Sequence, residues 1–308
     1  MEVLVAKPTT QHVSSVGIEE PRTGTTATGR DVRLAARSNI LTVPTSGLAA
    51  TYLQANLLIL PSRYAADFRL LCARNPVPCP LMGESVETGA YDSIKSNIIG
   101  LPGSRILADA DIRRDAPRYN VYHDAKLVKQ GCLDITEEWT EDHVAFLVGC
   151  SFSFETALIA AGLTPRHTAF GRNVPMYRTT IPLCPAGVFT GSTYVVSMRS
   201  YKASDIERVR DITRGYNATH GEPIAWGWDA LQKLGIVDID MPQWGDSPLT
   251  EDGRRLSEVK DSDDDVPVFW GCGVTPQEAV MVAGIKGTVM AHAPGHMLLL
   301  DCTNLDIA

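Results

Sequence analysis

One pattern occurs twice in the chain, and it limits the folds open to this sequence more than any other feature. Residues 149–163 read GCSFSFETALIAAGL, and residues 271–285, 122 positions further on, read GCGVTPQEAVMVAGI. A short apolar run, typical of a strand buried on both faces, leads into each copy. The small residues that follow predict a helix that ends at a glycine. The pattern therefore predicts two strand–turn–helix units.

Two interpretations of this recurrence are open. Any strand–turn–helix unit needs an apolar strand, a capping turn and a small-residue helix, so physical necessity alone could produce the match. An internal duplication would instead give two similar βαβ units related by a pseudo-twofold axis. Cys150 and Cys272 would then share a cleft at the carboxyl ends of the strands, where open α/β sheets bind ligands.

The predicted fold class is α/β (α+β overall), with a three-layer α/β/α domain that holds both units and a smaller two-layer α+β domain. Residues 1–30 are rich in Thr, Ser, Gly and Pro and predict a disordered tail. The main domain comprises residues 31–181 with 265–308, and residues 182–264 form the smaller inserted domain. Further segments predict helices at 61–74 and 203–216, a hairpin at 118–129, and strands at 193–199 and 296–301.

Composition excludes several functional classes. The net charge of -8 and the absence of an Arg/Lys run argue against nucleic acid as a partner. No apolar stretch approaches the ~18–20 residues that span a bilayer, and the first residues lack a secretory pattern. The 7 cysteines, an odd number without a CxxC pair, favour reduced thiols and a cytoplasmic location. Nucleotide-binding fingerprints are also missing.

Polar groups at the first GC turn suit an anion. Ser151 or Ser153 can cap the helix, and the same hydroxyls with free backbone N–H groups suit a substrate carboxylate. Glu155 in the first helical turn favours the helix dipole, or serves in acid–base chemistry. Cys150 and Cys272 are either small buried apolar residues or thiols that line the cleft.

Two further segments carry chemistry. Around a proline, the segment GRNVPMYR presents side chains that suit a carboxylate, namely Arg172, Asn173, Tyr177 and Arg178. In HAPGH, His292 and His296 flank a Pro-Gly turn and suit acid–base work. A metal there would need a third ligand such as Asp301, His220 or Glu155. We predict no metal and no other cofactor, with a divalent metal as the alternative.

Together these motifs resemble a known family. QANL (54–57), NPVPCP (75–80), DIRRDAPRY (111–119), VAFLVGCSFSFE (144–155), GRNVPMYRT (171–179), HGEP (220–223), FWGCGVTPQ (269–277) and HAPGHML (292–298) carry the resemblance. They resemble the bacterial and fungal putative hydro-lyase family of unknown function, which is similar to the catalytic region of mitochondrial D-glutamate cyclase. The resemblance spans about residues 31–302. It implies two α+β parts and a water-eliminating lyase, with cyclisation of D-glutamate to 5-oxo-D-proline as its best-defined chemistry.

The predicted function is a lyase that eliminates water from a small amino or hydroxy acid. Arg172 and Arg178 would hold carboxylates, and His220 would lie nearby, where the two domains meet. Acid–base work is assigned to Glu155, His292 and His296, while Cys150 and Cys272 line the cleft. One alternative is a two-thiol racemase or epimerase that uses Cys150 and Cys272, and another is a non-catalytic small-acid binding protein. The expected partner is a small carboxylic acid, and a homodimer is possible.

Overall fold

In a computed structural model of the chain, residues 27–260 and 262–307 are described, and they form twelve strands and eight α-helices. The strands are β1 (Tyr52–Pro61), β2 (Leu81–Ser85), β3 (Ile94–Ser96), β4 (Tyr119–His123), β5 (Lys126–Cys132), β6 (His143–Gly149), β7 (Met176–Pro182), β8 (Thr193–Tyr201), β9 (Ala225–Trp226), β10 (Val266–Gly271), β11 (Thr288–His292) and β12 (Leu298–Thr303). The helices are α1 (Gly29–Arg37), α2 (Ala65–Arg74), α3 (Gly103–Ile106), α4 (Glu155–Ala160), α5 (Arg166–Ala169), α6 (Ile206–Arg214), α7 (Ala230–Leu234) and α8 (Val274–Ala283).

The strands form two separate sheets, and every strand pair among the described residues is antiparallel. The larger sheet has the order β3-β2-β6-β1-β11-β4-β5, with β12 also paired to β1. The smaller sheet has the order β7-β8-β10-β9. Two sheets with interspersed helices confirm the predicted α+β class.

Strands β11 and β12 follow one another along the same edge of β1. Ala291 pairs with Leu58, and Leu298 pairs with Ala55. Residues 292–297 therefore face only residues 56–57 of β1, and the chain must leave the sheet between the two strands. This excursion is the HAPGHM segment, and its position explains why His292 lies beside β1.

Both sheets are covered on both faces, which accounts for the apolar runs. Along β1, Leu57 and Ile59 belong to one buried cluster, whereas Leu58 and Leu60 belong to another that includes α2 and α8 side chains. This is the alternation expected of a strand, whose successive side chains point to opposite faces. In the smaller sheet, Val268 and Phe269 of β10 likewise enter different clusters.

The internal repeat extends beyond the GC turns. Strand β1, a 3-10 turn at Ser62–Tyr64 and α2 recur as β8, a 3-10 turn at Ala203–Asp205 and α6, each element beginning 141 positions later. The partner strands match too: Ala55 of β1 pairs with Gly149, and Val196 of β8 pairs with Gly271. The first unit thus comprises β1, α2, β6 and the turn at 149–155, and the second comprises β8, α6, β10 and the turn at 271–277.

The two GC strands lie in different sheets, β6 in the larger one and β10 in the smaller one, while the predicted domain bounds stay a prediction. The helices that follow the turns cross over. Leu158 of α4 packs with Val209 and Trp270 of the second unit, and Val280 of α8 packs with Phe68 of the first. Parallel βαβ units therefore do not form. An apolar run shows that a strand is buried, but it cannot show which sheet the strand joins.

The ends of the chain bear on two further predictions. Most of the predicted tail, 1–30, lies outside the described residues, but residues 27–30 are described. Thr28 caps α1 there, and Asp31 completes the capping box. Within the described residues, no helix combines the length and the apolar character needed to cross a membrane.

Candidate active site

Both GC turns line one cavity of about 410 Å³. The first turn contributes Cys150 and Ser151, and the second contributes Cys272 and Gly273. The rest of the wall comes from β1, from the loop before β7, from α8 and from the HAPGHM excursion. These lining residues include Asn56, Asn173, Gln277 and His292. The predicted meeting of the two turns at a common cleft is therefore present in the structure.

The first turn is held by β1 at both of its ends. The N–H of Cys150 donates to the Gln54 carbonyl at 3.1 Å. The N–H of Gln54 in turn donates to the Ser153 Oγ at 3.0 Å. The Phe152 N–H hydrogen-bonds to the Cys150 sulfur. Ser153 was predicted to bind substrate, but the structure places its hydroxyl on the backbone of β1.

The second turn repeats these bonds on β8. The N–H of Cys272 donates to the Val195 carbonyl at 3.1 Å, and the N–H of Val195 donates to the Thr275 Oγ1 at 3.0 Å. The Val274 N–H hydrogen-bonds to the Cys272 sulfur. Identical bonds at positions matched by sequence support the interpretation of an internal duplication.

Each turn also touches the other unit at its glycine. A Cβ on Gly149 would lie 1.9 Å from the Ala218 carbonyl oxygen, and a Cβ on Gly271 would lie 3.0 Å from the Val77 carbonyl oxygen. Val77 and Ala218 are 141 positions apart, the same offset that separates β1 and α2 from β8 and α6. The contacts are therefore reciprocal, as across a twofold interface.

A second reciprocal pair lies next to the cavity. The Ser151 Oγ of the first unit is 3.5 Å from the Ser197 Oγ of the second. At the equivalent place, Gly273 leaves no room for a side chain, because its Cβ would overlap the Asn56 amide. Asn56 and Ser197 are again 141 positions apart. The cavity is thus built around a pseudo-twofold axis.

On one side of the axis lies the uncharged cluster, which consists of Asn56, Gln277 and His292. The His292 Nδ1 is 2.8 Å from the Ala293 carbonyl, to which it donates when Nδ1 carries the proton. The Nε2 then accepts from the Gln277 amide at 2.9 Å and lies 3.2 Å from the Asn56 Oδ1. Burial lowers the pKa of His292 to about 4, so the imidazole is neutral near pH 7.

On the other side lies the charged cluster, which consists of Ser151, Glu155, His167, Ser197 and Arg199. Arg199 forms an ion pair with Glu155, and the His167 Nε2 lies 3.2 Å from the same carboxylate oxygen. Burial raises the pKa of Glu155, but its interactions with His167 and Arg199 outweigh burial and hold the pKa below its usual value. Glu155 is therefore ionised and engaged.

The two cavity thiols are protonated at neutral pH. Burial raises the pKa of Cys150 to about 12 and that of Cys272 to about 11. A thiol reacts as a nucleophile or base only through its thiolate. The sulfurs consequently act as walls of the cavity in its resting state.

A neighbouring cavity of about 330 Å³ carries the basic side chains. Arg166, His167, Arg172 and Arg199 line it, and Asn173 lines both cavities. The Arg172 Nε is a buried donor without a hydrogen-bond partner among the described residues. Such a donor is costly to leave unpaired, and a bound acceptor would satisfy it.

Six predicted site residues lie outside the lining of both cavities. Ser153 and Glu155 are described above, and four remain. Tyr177 is buried in the smaller-sheet core and donates to the Ile239 carbonyl. Arg178 is half exposed, and its Nε donates to Glu278 at 2.8 Å. His296 is half buried on the excursion, with Nδ1 at 2.8 Å from the Pro294 carbonyl.

The fourth of these residues, His220, lies behind the turns. Its Nδ1 is 2.8 Å from the Val77 carbonyl, and burial lowers its pKa to about 4. A Cβ on Gly271 would lie 3.4 Å from this ring, so His220 packs against the second turn. Its backbone adopts the left-handed region at φ 88, which is strained for a residue with a side chain.

Sequence reasoning missed polar lining residues that include Asn56, His167, Arg199 and Gln277. It also missed Ser197, whose Oγ lies 3.5 Å from that of Ser151. Two signals were available. Polar residues interrupt otherwise apolar strands in LQANLLIL and YVVSMRSY, and a buried polar residue needs a partner. Gln277 aligns with Glu155 in the repeat. As for metals, no three His, Cys, Asp or Glu side chains group into a possible site within residues 27–260 and 262–307. The predicted lack of a cofactor stays a prediction.

Comparison with known proteins gives consistent matches. Residues 144–301 match the D-glutamate cyclase family. A putative hydro-lyase of Schizosaccharomyces pombe is 44% identical over 274 residues, which covers 89% of this chain and 84% of that protein. A putative hydro-lyase of Bordetella pertussis is 45% identical over 280 residues, 91% of each chain. A putative hydro-lyase of Rubrobacter xylanophilus is 44% identical over 259 residues, 84% of this chain and 89% of that protein.

Proposed function

The chain belongs to the D-glutamate cyclase family, and from this we propose that it is a lyase that removes water from a small amino or hydroxy carboxylic acid. Closure of D-glutamate to 5-oxo-D-proline is the reaction that we favour. The observation that carries the proposal is the neutral imidazole of His292 in a cavity lined by both GC turns.

Lactam closure needs a proton shuttle and little else. The ammonium group of glutamate loses two protons as its nitrogen bonds to the side-chain carboxyl carbon. One carboxyl oxygen leaves as water and takes up two protons. The reaction is therefore balanced without an external acid or base, and one imidazole that accepts and returns protons can serve both ends.

His292 has the geometry for such a shuttle. When Nδ1 donates to the Ala293 carbonyl, the Nε2 lone pair accepts from the Gln277 amide at 2.9 Å, and the imidazole takes up a substrate proton there once the amide releases it. The Asn56 Oδ1, 3.2 Å from Nε2, is an acceptor for the imidazolium that forms after proton uptake. A substrate carboxylate in the cavity would raise the pKa of His292, because a nearby anion favours the charged ring.

We assign the second carboxylate of the substrate to the neighbouring basic cavity. Arg172 lines that cavity and has an unpaired donor, and Asn173 joins it to the cavity that holds His292. Arginine suits this task because its fork can bind both oxygens of a carboxylate. Arg178 is not assigned a role, since Glu278 already pairs with it.

The test is mass spectrometry of the protein incubated with D-glutamate, L-glutamate and a panel of hydroxy acids, scored for the loss of one water. His292→Gln should lower kcat by at least about a hundredfold, the usual size of a general acid–base contribution. His143→Gln is the matched control, because His143 is also buried with a lowered pKa but lies outside both cavities. Equal activity of these two variants would contradict the role of His292.

A two-thiol racemase is the second candidate, because Cys150 and Cys272 meet in one cavity. Their raised pKa values oppose it, since racemisation needs one thiolate. We expect Cys150→Ser and Cys272→Ser to keep kcat within a few-fold. Deuterium uptake from solvent at the α-carbon without loss of water, abolished in either variant, would favour the racemase instead. Saturable binding of an acid without any turnover would favour a binding protein.

A further inference from the structure

The two sides of the pseudo-twofold axis differ at four matched positions. The uncharged cluster has Asn56 and Gln277 where the charged cluster has Ser197 and Glu155. Leu58 occupies the position on β1 that Arg199 occupies on β8. Gly273 stands where Ser151 stands. The backbone bonds of both turns are the same, so the charged residues are not needed to build this turn.

Arg199 is fully enclosed and uses its donors within the protein. Its side chain is 0% exposed, and its Cζ lies 5.1 and 5.3 Å from the ring centroids of Phe154 and Trp270, which are themselves in contact. The Nη1 donates to the Ser197 Oγ at 3.1 Å, and the Nη2 donates to the Ser151 Oγ at 3.1 Å. A buried ion pair is weak grounds for stability, because apolar residues often replace one without loss.

Ser151 connects this buried cation to the cavity. Its Oγ accepts from Arg199, so its O–H can donate either to the Ser197 Oγ at 3.5 Å or into the cavity, which Ser151 lines together with His292. A hydroxyl that accepts from a guanidinium becomes a stronger donor, since bonds in a chain polarise one another. In a buried site this effect is larger than in water.

We propose that Ser151 donates a hydrogen bond to the substrate carboxyl oxygen that becomes negative as the new bond forms, and that Arg199 is the positioning residue that polarises and aims this hydroxyl. The inference rests on the proposed lyase function and adds a second group to it. Ser151 keeps its proton throughout, and His292 carries the protons that are transferred. Glu155 holds Arg199 in place and neutralises it.

The experiment replaces residues of the charged cluster by the residues found at the matched positions on the uncharged side. The double variant R199L/E155Q carries the Leu58 and Gln277 pair of the other side, so it is designed to fold. We expect kcat to fall about a hundredfold to a thousandfold, the cost of one oxyanion donor, with KM changed far less. S151G, which copies Gly273, should show the same loss. The matched control is R69L/E84Q, which removes an Arg–Glu pair on α2 and β2 outside both cavities.

The triple variant R199L/E155Q/S151G separates positioning from a general structural effect. If Arg199 acts only through Ser151, the triple variant should be no slower than S151G, because coupled residues are not additive. The inference would be overturned if the loss of kcat in the triple variant equalled the product of the losses in S151G and R199L/E155Q. A kcat of R199L/E155Q within twofold of the wild type would overturn it as well.

Failure of the function itself would look different. If the wild type dehydrates no acid in the panel, the proposed lyase is wrong, and calorimetry with the acid that binds most tightly then decides on Ser151. A carboxylate that accepts from Ser151 should bind about tenfold more weakly to S151G and to R199L/E155Q, as expected for a lost hydrogen bond. Unchanged affinity in both variants would overturn the inference.

Discussion

The charged and uncharged clusters have the same backbone but different side-chain chemistry. In both turns, the carbonyl of a strand residue accepts from the cysteine N–H. The N–H of the same strand residue donates to the hydroxyl of the residue three positions after that cysteine. Beyond these bonds, the charged cluster holds the ion pair between Arg199 and Glu155. In the uncharged cluster, Gln277 takes the place of Glu155 and contacts the neutral His292. The comparison separates what the turn needs in order to fold from what the cavity needs for chemistry.

The largest expected effect comes from a substitution that disrupts the charged cluster alone. Arg199→Leu leaves Glu155 buried without its arginine partner, so the free energy of unfolding should fall by about 3–5 kcal/mol. R199L/E155Q should recover most of that loss, because the neutral amide needs no counter-charge. Urea denaturation of both variants checks this. Equal stability of the single and double variants would show that Glu155 does not depend on Arg199.

Acid should weaken the uncharged cluster first. His292 has a pKa of about 4 when folded and about 6.5 when unfolded, so below pH 6.5 the unfolded chain binds a proton that the folded chain does not. The free energy of unfolding should fall by about 3 kcal/mol from this residue as the pH drops from about 6.5 to about 4. Glu155, whose pKa is lowered, loses its contribution only at lower pH.

Denaturation between pH 4 and 7 measures this dependence. In His292→Gln, the free energy of unfolding should depend less on pH, by the contribution of one histidine. His220, with a folded pKa of about 4, should still contribute its own share in that variant. An unchanged curve in His292→Gln would contradict the assignment of the low pKa to His292.

The two glycines sharpen the comparison, because they are equivalent in position but not in space. Gly149→Ala would place a Cβ 1.9 Å from a carbonyl oxygen, whereas Gly271→Ala would place it at 3.0 Å. We expect a loss of about 3 kcal/mol or more for the first and about 1 kcal/mol for the second, since overpacking costs grow with the overlap. Thermal unfolding compares the two, and equal losses would show that the backbone relaxes equally at both.

The smallest expected effect comes from substitutions at the hydrogen bond that the two turns share, between a strand N–H and a hydroxyl of the turn. Ser153→Ala and Thr275→Val each remove the acceptor of a buried strand N–H, which should cost about 1–3 kcal/mol. The Thr275 Oγ1 also donates to the Val195 carbonyl at 3.1 Å, so the loss for Thr275→Val should be at least as large as that for Ser153→Ala. Chemical denaturation gives both values, and a loss in only one of them would contradict the equivalence of the turns.

Sequence alone predicted the local elements well. Both GC turns, the α+β class and the Pro-Gly excursion around His292 follow from apolar runs, capping residues and breakers, which act over a few neighbouring positions. The second half of the repeat was not visible in the sequence. Strand β1 and helix α2 match β8 and α6 in position and burial, but with different residues, such as Phe68 and Val209 at equivalent core sites.

The sequence by itself determined where the turns lie and which apolar runs form buried strands, because hydrogen bonding and periodicity are local. Only the tertiary structure decided that β6 and β10 belong to different sheets and that α4 and α8 cross between the units. That crossing carries Ser151 to Arg199, whereas the pairing of β11 with β1 places Asn56 beside His292. Tyr177 and Arg178 remain outside the cavities. Long-range packing sets these contacts, and a burial pattern along one chain does not specify the partner that buries it.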